Sequence, residues 1–150
     1  NKISTGDYFR DAYKNKTKIG FEAYKYWVKG NLPPEGVVFK IIKKHIPKDN
    51  YLFSGFPRTI KQAEFLDKYA KPDIVIYLEV SDDVLKKRLL KRAKIDGRLD
   101  DTEEVIEERL NVYKNQTKPL LKFYKDIIVK FDGNRKAEEI YKDVKKILKK

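Results

Sequence analysis

The run Asp73-Ile-Val-Ile-Tyr-Leu-Glu-Val80 is β-branched and aromatic almost without a break. Such a stretch is the signature of a strand buried on both faces, the situation found where helices cover both sides of a parallel sheet. Tyr51-Leu-Phe53 and Ile127-Ile-Val-Lys-Phe131 are shorter runs of the same kind, with helical patterns between them. Phe21, Tyr24 and Val28 share one helix face, and Val84, Leu85 and Leu89 share another. Val105, Ile106, Leu110 and Tyr113 form a third face, and Ala137, Ile140, Val144 and Leu148 a fourth. Ser81 ahead of Asp82 and Asp83, and Asp101 with Glu104 three residues on, read as helix N-caps. Strands alternating with helices mean an α/β chain whose mostly parallel sheet is flanked by helices. Ligands of such sheets bind beyond the carboxyl ends of the strands. The chemistry is therefore sought in the loops after Ser4, Phe53, Val80 and Phe131.

At 150 residues, with no repeat or Pro/Gly-rich linker, the chain reads as one domain spanning 1–150. A chain of that length buries roughly 70% of its unfolded surface, enough for a real core. No apolar run approaches the ~18 residues of a membrane span. The absence of cysteine excludes disulfides, thiolate metal sites and cysteine nucleophiles, and fits a reducing, cytoplasmic setting. With His45 the only imidazole, imidazole chemistry has little to work with. His45 and Trp27 read as packing residues. The net charge of +12 favours anionic partners such as nucleotides, nucleic acid or an acidic surface. Much of the excess is lysine on helix faces, as in Lys142, Lys145, Lys146, Lys149 and Lys150, which an ordinary lysine-rich surface also produces. Ten tyrosines beside that charge keep RNA binding open. Against it, no Gly-aromatic recognition motif or helix-turn-helix pattern occurs.

Four segments sit at or just beyond the expected strand ends. Ile3-Ser-Thr-Gly-Asp-Tyr-Phe-Arg10 is a polar turn feeding a helix, and in Ser54-Gly-Phe-Pro-Arg-Thr-Ile-Lys-Gln62 the residues Gly55 and Pro57 set a tight turn that presents Arg58. The third segment runs from Arg88 and Arg92 through Gly97-Arg98-Leu-Asp-Asp101 to Arg109, and the fourth is Asp132-Gly-Asn-Arg135. Arg88 and Arg92 are four apart and project from one helix face. Arginines gathered at one cleft from separate elements would hold phosphates, because the guanidinium fork matches phosphate oxygens bidentately.

These segments, in this order, resemble the nucleoside monophosphate kinase family, and adenylate kinases within it. The likeness runs from Ile3-Ser-Thr-Gly-Asp7 through Gly55-Phe-Pro-Arg-Thr59 with Gln62, and through Gly97-Arg98, Asp100-Asp101 and Arg109, to Asp132-Gly133. It implies a parallel sheet of the phosphate-loop NTPase type with a short lid. It also implies transfer of a phosphoryl group from MgATP to AMP, giving two ADP. Thr5 and Arg10 would contact AMP, and Asn31, Leu32 and Pro33 after Gly30 would line its base and ribose, making about 5–34 the AMP-binding region. Gly55 and Arg58 would hold the AMP phosphate, and Gln62 would read the adenine edge. Arg88, Arg92 and Arg135 would face ATP. Arg98 and Arg109 would clamp the transferring group with Arg58 and Arg92, and Asp100 and Asp101 would orient a lid of about 93–101. Five residues, Ala93 to Gly97, separate Arg92 from Arg98, which leaves no room for an inserted lid subdomain. Thr5 and the Thr59-to-Gln62 spacing match the AMP-preferring pattern rather than the pyrimidine one.

The sequence departs from that family twice. Ser54 stands where the family has Asp, and a hydroxyl lacks the carboxylate charge that helps order a magnesium shell. Magnesium is thus expected to come with ATP, without direct protein ligands from this chain. The larger departure is the phosphate loop, Gly-x-x-x-x-Gly-Lys-Ser/Thr, whose backbone N–H groups cradle ATP phosphates. The seven glycines, at 6, 20, 30, 36, 55, 97 and 133, include no pair with that spacing. The chain also starts at Asn1 and contains no Met, as expected of a piece of something longer. In the family the loop comes with the first, central strand. Without that strand a break is expected between the strand at Tyr51-Phe53 and the one at Asp73-Val80. Three accounts follow: a trimmed kinase, one part of a split enzyme completed by a partner chain, or an inactive nucleotide- or partner-binding relative.

Overall fold

The computed structural model describes residues 1–46, 49–98 and 101–148. β1 (Lys2–Ser4) leads into three helices, α1 (Thr5–Lys14), α2 (Lys18–Trp27) and α3 (Glu35–His45). β2 (Leu52–Ser54), α4 (Ile60–Tyr69), β3 (Val75–Glu79) and α5 (Asp82–Asp96) follow. α6 (Glu103–Val112) continues through one π-helical turn, Tyr113–Thr117, to the short α7 (Leu120–Phe123), then β4 (Ile128–Asp132) and α8 (Ala137–Leu148).

The expected class is met: the strands are parallel and helices flank them. β1 pairs with β2, setting Ile3 opposite Phe53, and β3 pairs with β4, setting Tyr77 opposite Lys130. Among the described residues no ladder joins the two pairs. The break expected between the second and third strands is therefore present. One expectation fails. β3 is not buried on both faces, since Val75 to Tyr77 are half-buried and Leu78 is 46% exposed. Among the described residues it has a strand partner along one edge only, and α5 after it buries no residue completely.

The main core gathers around β1 and β2. Ile3, Phe9, Ala23, Val38, Ile42 and Leu66 pack together from β1 and the helices α1 to α4. Burying each of the larger side chains stabilises by about 1.5–3 kcal/mol. A smaller cluster joins Ala63 of α4 to Leu120 and Tyr124, with Val75 and Ile127 against it. On α2 the buried residues are Gly20 and Ala23, small enough for α1 to approach, while Phe21 is largely exposed. The predicted face of α8 is buried completely only at Ile140.

Helix starts follow side-chain oxygens. Ser4 accepts from the Asp7 N–H, Thr17 from Gly20 and Thr59 from Gln62. Ser81 occupies the N-cap position of α5 but makes no capping bond. The cap of α6 is Thr102 rather than the expected Asp101. The Asp101 carboxylate has stronger, charge-assisted partners, described below. His45 ends α3, stacks on Tyr8 with centroids 4.1 Å apart and bonds through Nδ1 to the Ile41 carbonyl, the packing role expected of it. No helix among the described residues is long and apolar enough to cross a membrane.

Candidate functional site

The carboxyl ends of β1 and β2 open into a cleft lined from α1, the turn before α3, the loop into α4, and α6. Its floor is where the two strands end. The Thr5 hydroxyl donates to the Gly55 carbonyl at 2.8 Å, tying the α1 start to the turn after β2. Gly55 has φ +74°, and a Cβ there would press on the Thr5 hydroxyl at 3.1 Å and on Arg58 at 3.2 Å. One wall is the turn from Gly30 through Asn31 and Leu32 to Pro33, backed by Phe9, Trp27 and Val38. Gly30 takes φ +81°, and a Cβ on it would stand 2.8 Å from the Val105 carbonyl of α6. Only glycine both adopts that backbone and lets the turn sit on α6. The wall it forms is largely apolar and suits a flat ring.

The rest of the lining is largely charged. Arg58 and Gln62 come from the loop into α4, Arg10 from α1 and Arg109 from α6. The Arg58 guanidinium donates through Nε to the Gly55 carbonyl at 2.9 Å. The protein packed around it, then the positive charges of Arg109, Arg10 and Arg92, hold its pKa below the usual arginine value. Three guanidinium groups, those of Arg10, Arg58 and Arg109, thus line the cleft with Arg92 close to Arg58, and an anion there would relieve their repulsion. Arg10 is steadied by an ion pair with Asp7. Behind the wall stands Asp101, whose side chain has no solvent exposure. Its carboxylate accepts from Arg92 through Nε at 2.7 Å and Nη2 at 2.8 Å, and also from Arg109.

Gln62 is 2% exposed. Its side-chain oxygen accepts the Arg58 backbone N–H at 2.8 Å, which fixes the amide's orientation and leaves its NH2 group for the cleft.

Of the residues singled out from the sequence, Thr5, Arg10, Asn31, Leu32 and Pro33 all line this cleft. So do Gly55, Arg58, Gln62 and Arg109. Arg98 does not, its Nε lying 3.3 Å from Asp96. Arg92 is near enough to act on Arg58 but sits outside the lining. Arg88 lies elsewhere, donating to the Gly133 carbonyl at 2.7 Å and the Asn134 carbonyl at 3.4 Å. Arg135 pairs with Glu139 and Asp143 along α8. Asp100 lies outside the described residues. Sequence reasoning missed Gly6, Phe9, Trp27 and Val38 as lining residues. The signal for Phe9 was there, since it follows Thr5 by four positions on one helix face.

A family model for adenylate kinase matches residues 1–129. The chain belongs to the adenylate kinase family. Among named adenylate kinases, that of Leptospira biflexa is 43% identical, the match covering 93% of this chain and 81% of the relative. That of Bacillus subtilis is 38% identical, covering 97% and 85%. By family the chain is an enzyme, a nucleoside monophosphate kinase. The Bacillus alignment runs over 184 positions, more than this chain has residues, whereas the Leptospira alignment runs over 150. The Bacillus adenylate kinase therefore carries inserted residues that this chain lacks.

Proposed function

We propose that the chain works as an adenylate kinase on AMP and MgATP, with this cleft as the AMP site. The observation that carries the reading is that Arg10, Arg58, Arg109 and Gln62 line one cleft with the apolar Leu32, Pro33 and Val38, while Arg92 stands close to Arg58. AMP lies with its base against Leu32, Pro33 and Val38, its adenine edge at the Gln62 amide and its phosphate among the arginines. The bond from the γ-phosphorus of ATP to its bridging oxygen breaks as an AMP phosphate oxygen bonds to that phosphorus, and two ADP result. Such transfer needs positioning and charge neutralisation rather than a protein nucleophile, which suits a chain with no Cys and one His. Arg88, Arg92 and Arg135 serve the ATP side, and Arg98 joins the clamp when a short lid of about 93–101, with Asp100 and Asp101, closes and excludes water. The five residues between Arg92 and Arg98 support a lid of the short kind here. Magnesium arrives as part of MgATP, and residue 54 offers it a hydroxyl rather than a carboxylate. The ATP phosphates need in addition a Gly-x-x-x-x-Gly-Lys-Ser/Thr loop, which these residues do not contain. We place the reaction in the cytoplasm, where a cysteine-free chain is at home.

Titration calorimetry tests the AMP site directly. Wild type should bind AMP below about 1 mM, the upper range of enzyme substrates. Gln62→Ala should weaken AMP about tenfold, the scale of one buried hydrogen bond, and leave ATP near wild type. Equal losses for both nucleotides would sink the assignment. Rapid ADP formation by the homogeneous 150-residue chain alone would sink the need for a separate loop.

A further inference from the structure

We infer that Glu35 is a positioning residue for base recognition, acting on Gln62 through Thr59. The inference rests on the AMP reading above and deepens it.

Glu35 opens α3, directly after the Asn31–Pro33 wall, while Thr59 opens α4, three residues before Gln62. The Thr59 hydroxyl donates to Glu35 Oε1 at 2.7 Å and accepts the Gln62 backbone N–H at 3.2 Å. Gln62 in turn accepts the Arg58 backbone N–H through its side-chain oxygen. One hydroxyl therefore links the helix behind the apolar wall to the helix carrying the base-reading amide. Because a threonine hydroxyl has a single proton, donating it to Glu35 commits its lone pairs toward Gln62. That fixes the first turn of α4, and so the point from which the Gln62 amide reaches the base.

The other carboxylate oxygen makes the arrangement unusual. Glu35 Oε2 is buried and has no hydrogen-bond partner among the described residues. Leaving a carboxylate oxygen desolvated and unmatched is unfavourable, so Glu35 is a poor choice for stability alone. Glutamine would give Thr59 the same acceptor without the buried charge. The carboxylate is the stronger acceptor, and the gain falls on the Thr59 link.

The test uses the 150-residue chain and two ligands, AMP and ribose 5-phosphate, which share the phosphate and ribose and differ by the base. Glu35→Ala and Thr59→Val should each weaken AMP about tenfold, the scale of one hydrogen bond to a charged partner, and leave ribose 5-phosphate within twofold. The double variant should lose no more than the worse single one, because both cut the same link. Thr59→Ser should recover wild-type affinity, and Glu35→Gln should recover most of it while unfolding at a higher temperature than wild type. Thr59→Val keeps the side-chain shape and tests the link from its other end should Glu35→Ala fail to fold. Wild-type AMP affinity in Glu35→Ala or Thr59→Val would overturn the inference, as would equal loss of both ligands or fully additive losses. A wild-type chain that binds ribose 5-phosphate no worse than AMP would overturn the base-reading site itself and this inference with it. Those two failures are distinguishable because the second appears before any substitution is made.

Discussion

Asp101 shows how one carboxylate can be worth more to the site than to its own helix. It sits at the start of α6, where an N-cap was expected, yet Thr102 does the capping. Its side chain is fully buried between two arginines that belong to α5 and α6. A carboxylate there offsets part of the repulsion among Arg58, Arg92 and Arg109 and fixes two guanidinium planes. Asp101→Asn preserves the shape, removes the charge and leaves an amide NH2 facing guanidinium donors. Because Arg92 and Arg109 remain partly exposed and can turn to water, the expected loss is about 1–3 kcal/mol rather than the full value of a buried pair. Calorimetry should show a midpoint lower by several degrees. An unchanged midpoint would mean that the arginines are held by something other than this carboxylate.

At the scale of elements, the cleft proposed for AMP depends on how one turn seats against one helix. Gly30 is the contact between them, so Gly30→Ala should cost about 2 kcal/mol or more, from left-handed strain added to a clash with the Val105 carbonyl. It should also weaken AMP more than ATP, because the displaced turn carries Asn31 to Pro33. Equal weakening of the two nucleotides would argue against that. Two tyrosines tie other elements together. Tyr124 after α7 donates to Asp67 of α4, and Tyr113 after α6 donates to Tyr77 of β3. Burial, then the Asp67 carboxylate for Tyr124 and the Tyr77 hydroxyl for Tyr113, push both phenols well above their ordinary value of 10.0. The folded chain then keeps protons that the unfolded chain releases. The stability these groups contribute is complete below about pH 10 and is lost as the pH climbs above it. Denaturation followed from about pH 9 to 12 should fall less steeply in Tyr124→Phe and Tyr113→Phe, and identical slopes would refute the coupling. The sequence made the elements readable because their signals are local: β-branched runs, and Ser or Thr before amphipathic stretches. It also pointed to most of the residues that line the cleft proposed for AMP, since Thr5 and Gln62 stand in the first turns of helices and Gly55 and Arg58 in the Gly- and Pro-bearing loop before α4. What stayed hidden depended on distance. Neither the partial exposure of β3 nor the diversion of Asp101 from capping follows from neighbours in the chain, because both are decided by groups folded in from elsewhere. Glu35 escaped notice for the same reason, its partner Thr59 being 24 positions away.

Over the whole molecule, burial is uneven, and that has a measurable consequence. The helices α1 to α4 surround β1 and β2 with a core that includes Ile3, Phe9, Ile42 and Leu66 at 4% exposure or less. On the other side of the break, β3 and β4 have no fully buried residue, α5 has none, and α8 has only Ile140 among the described residues. Opening free energies track buried apolar contact and protected backbone bonds, so the two sides should not open together. Hydrogen exchange on the native chain should show amides of α3 and α4 slower than those of α5 and α8 by about tenfold or more, since each buried core side chain adds more than the ~1.4 kcal/mol that a factor of ten requires. In the proposed site AMP meets the well-buried side through Thr5, Arg58 and Gln62 and also meets Arg109 on α6, all of which line the cleft. It should therefore slow exchange in α6 and, through Asp101, in the last turns of α5, while leaving α8 unchanged. Uniform exchange across the chain would show that the two strand pairs open as one cooperative unit despite the break. AMP protection confined to α1, α3 and α4 would show that Arg109 and Asp101 do not connect the cleft to the lid side.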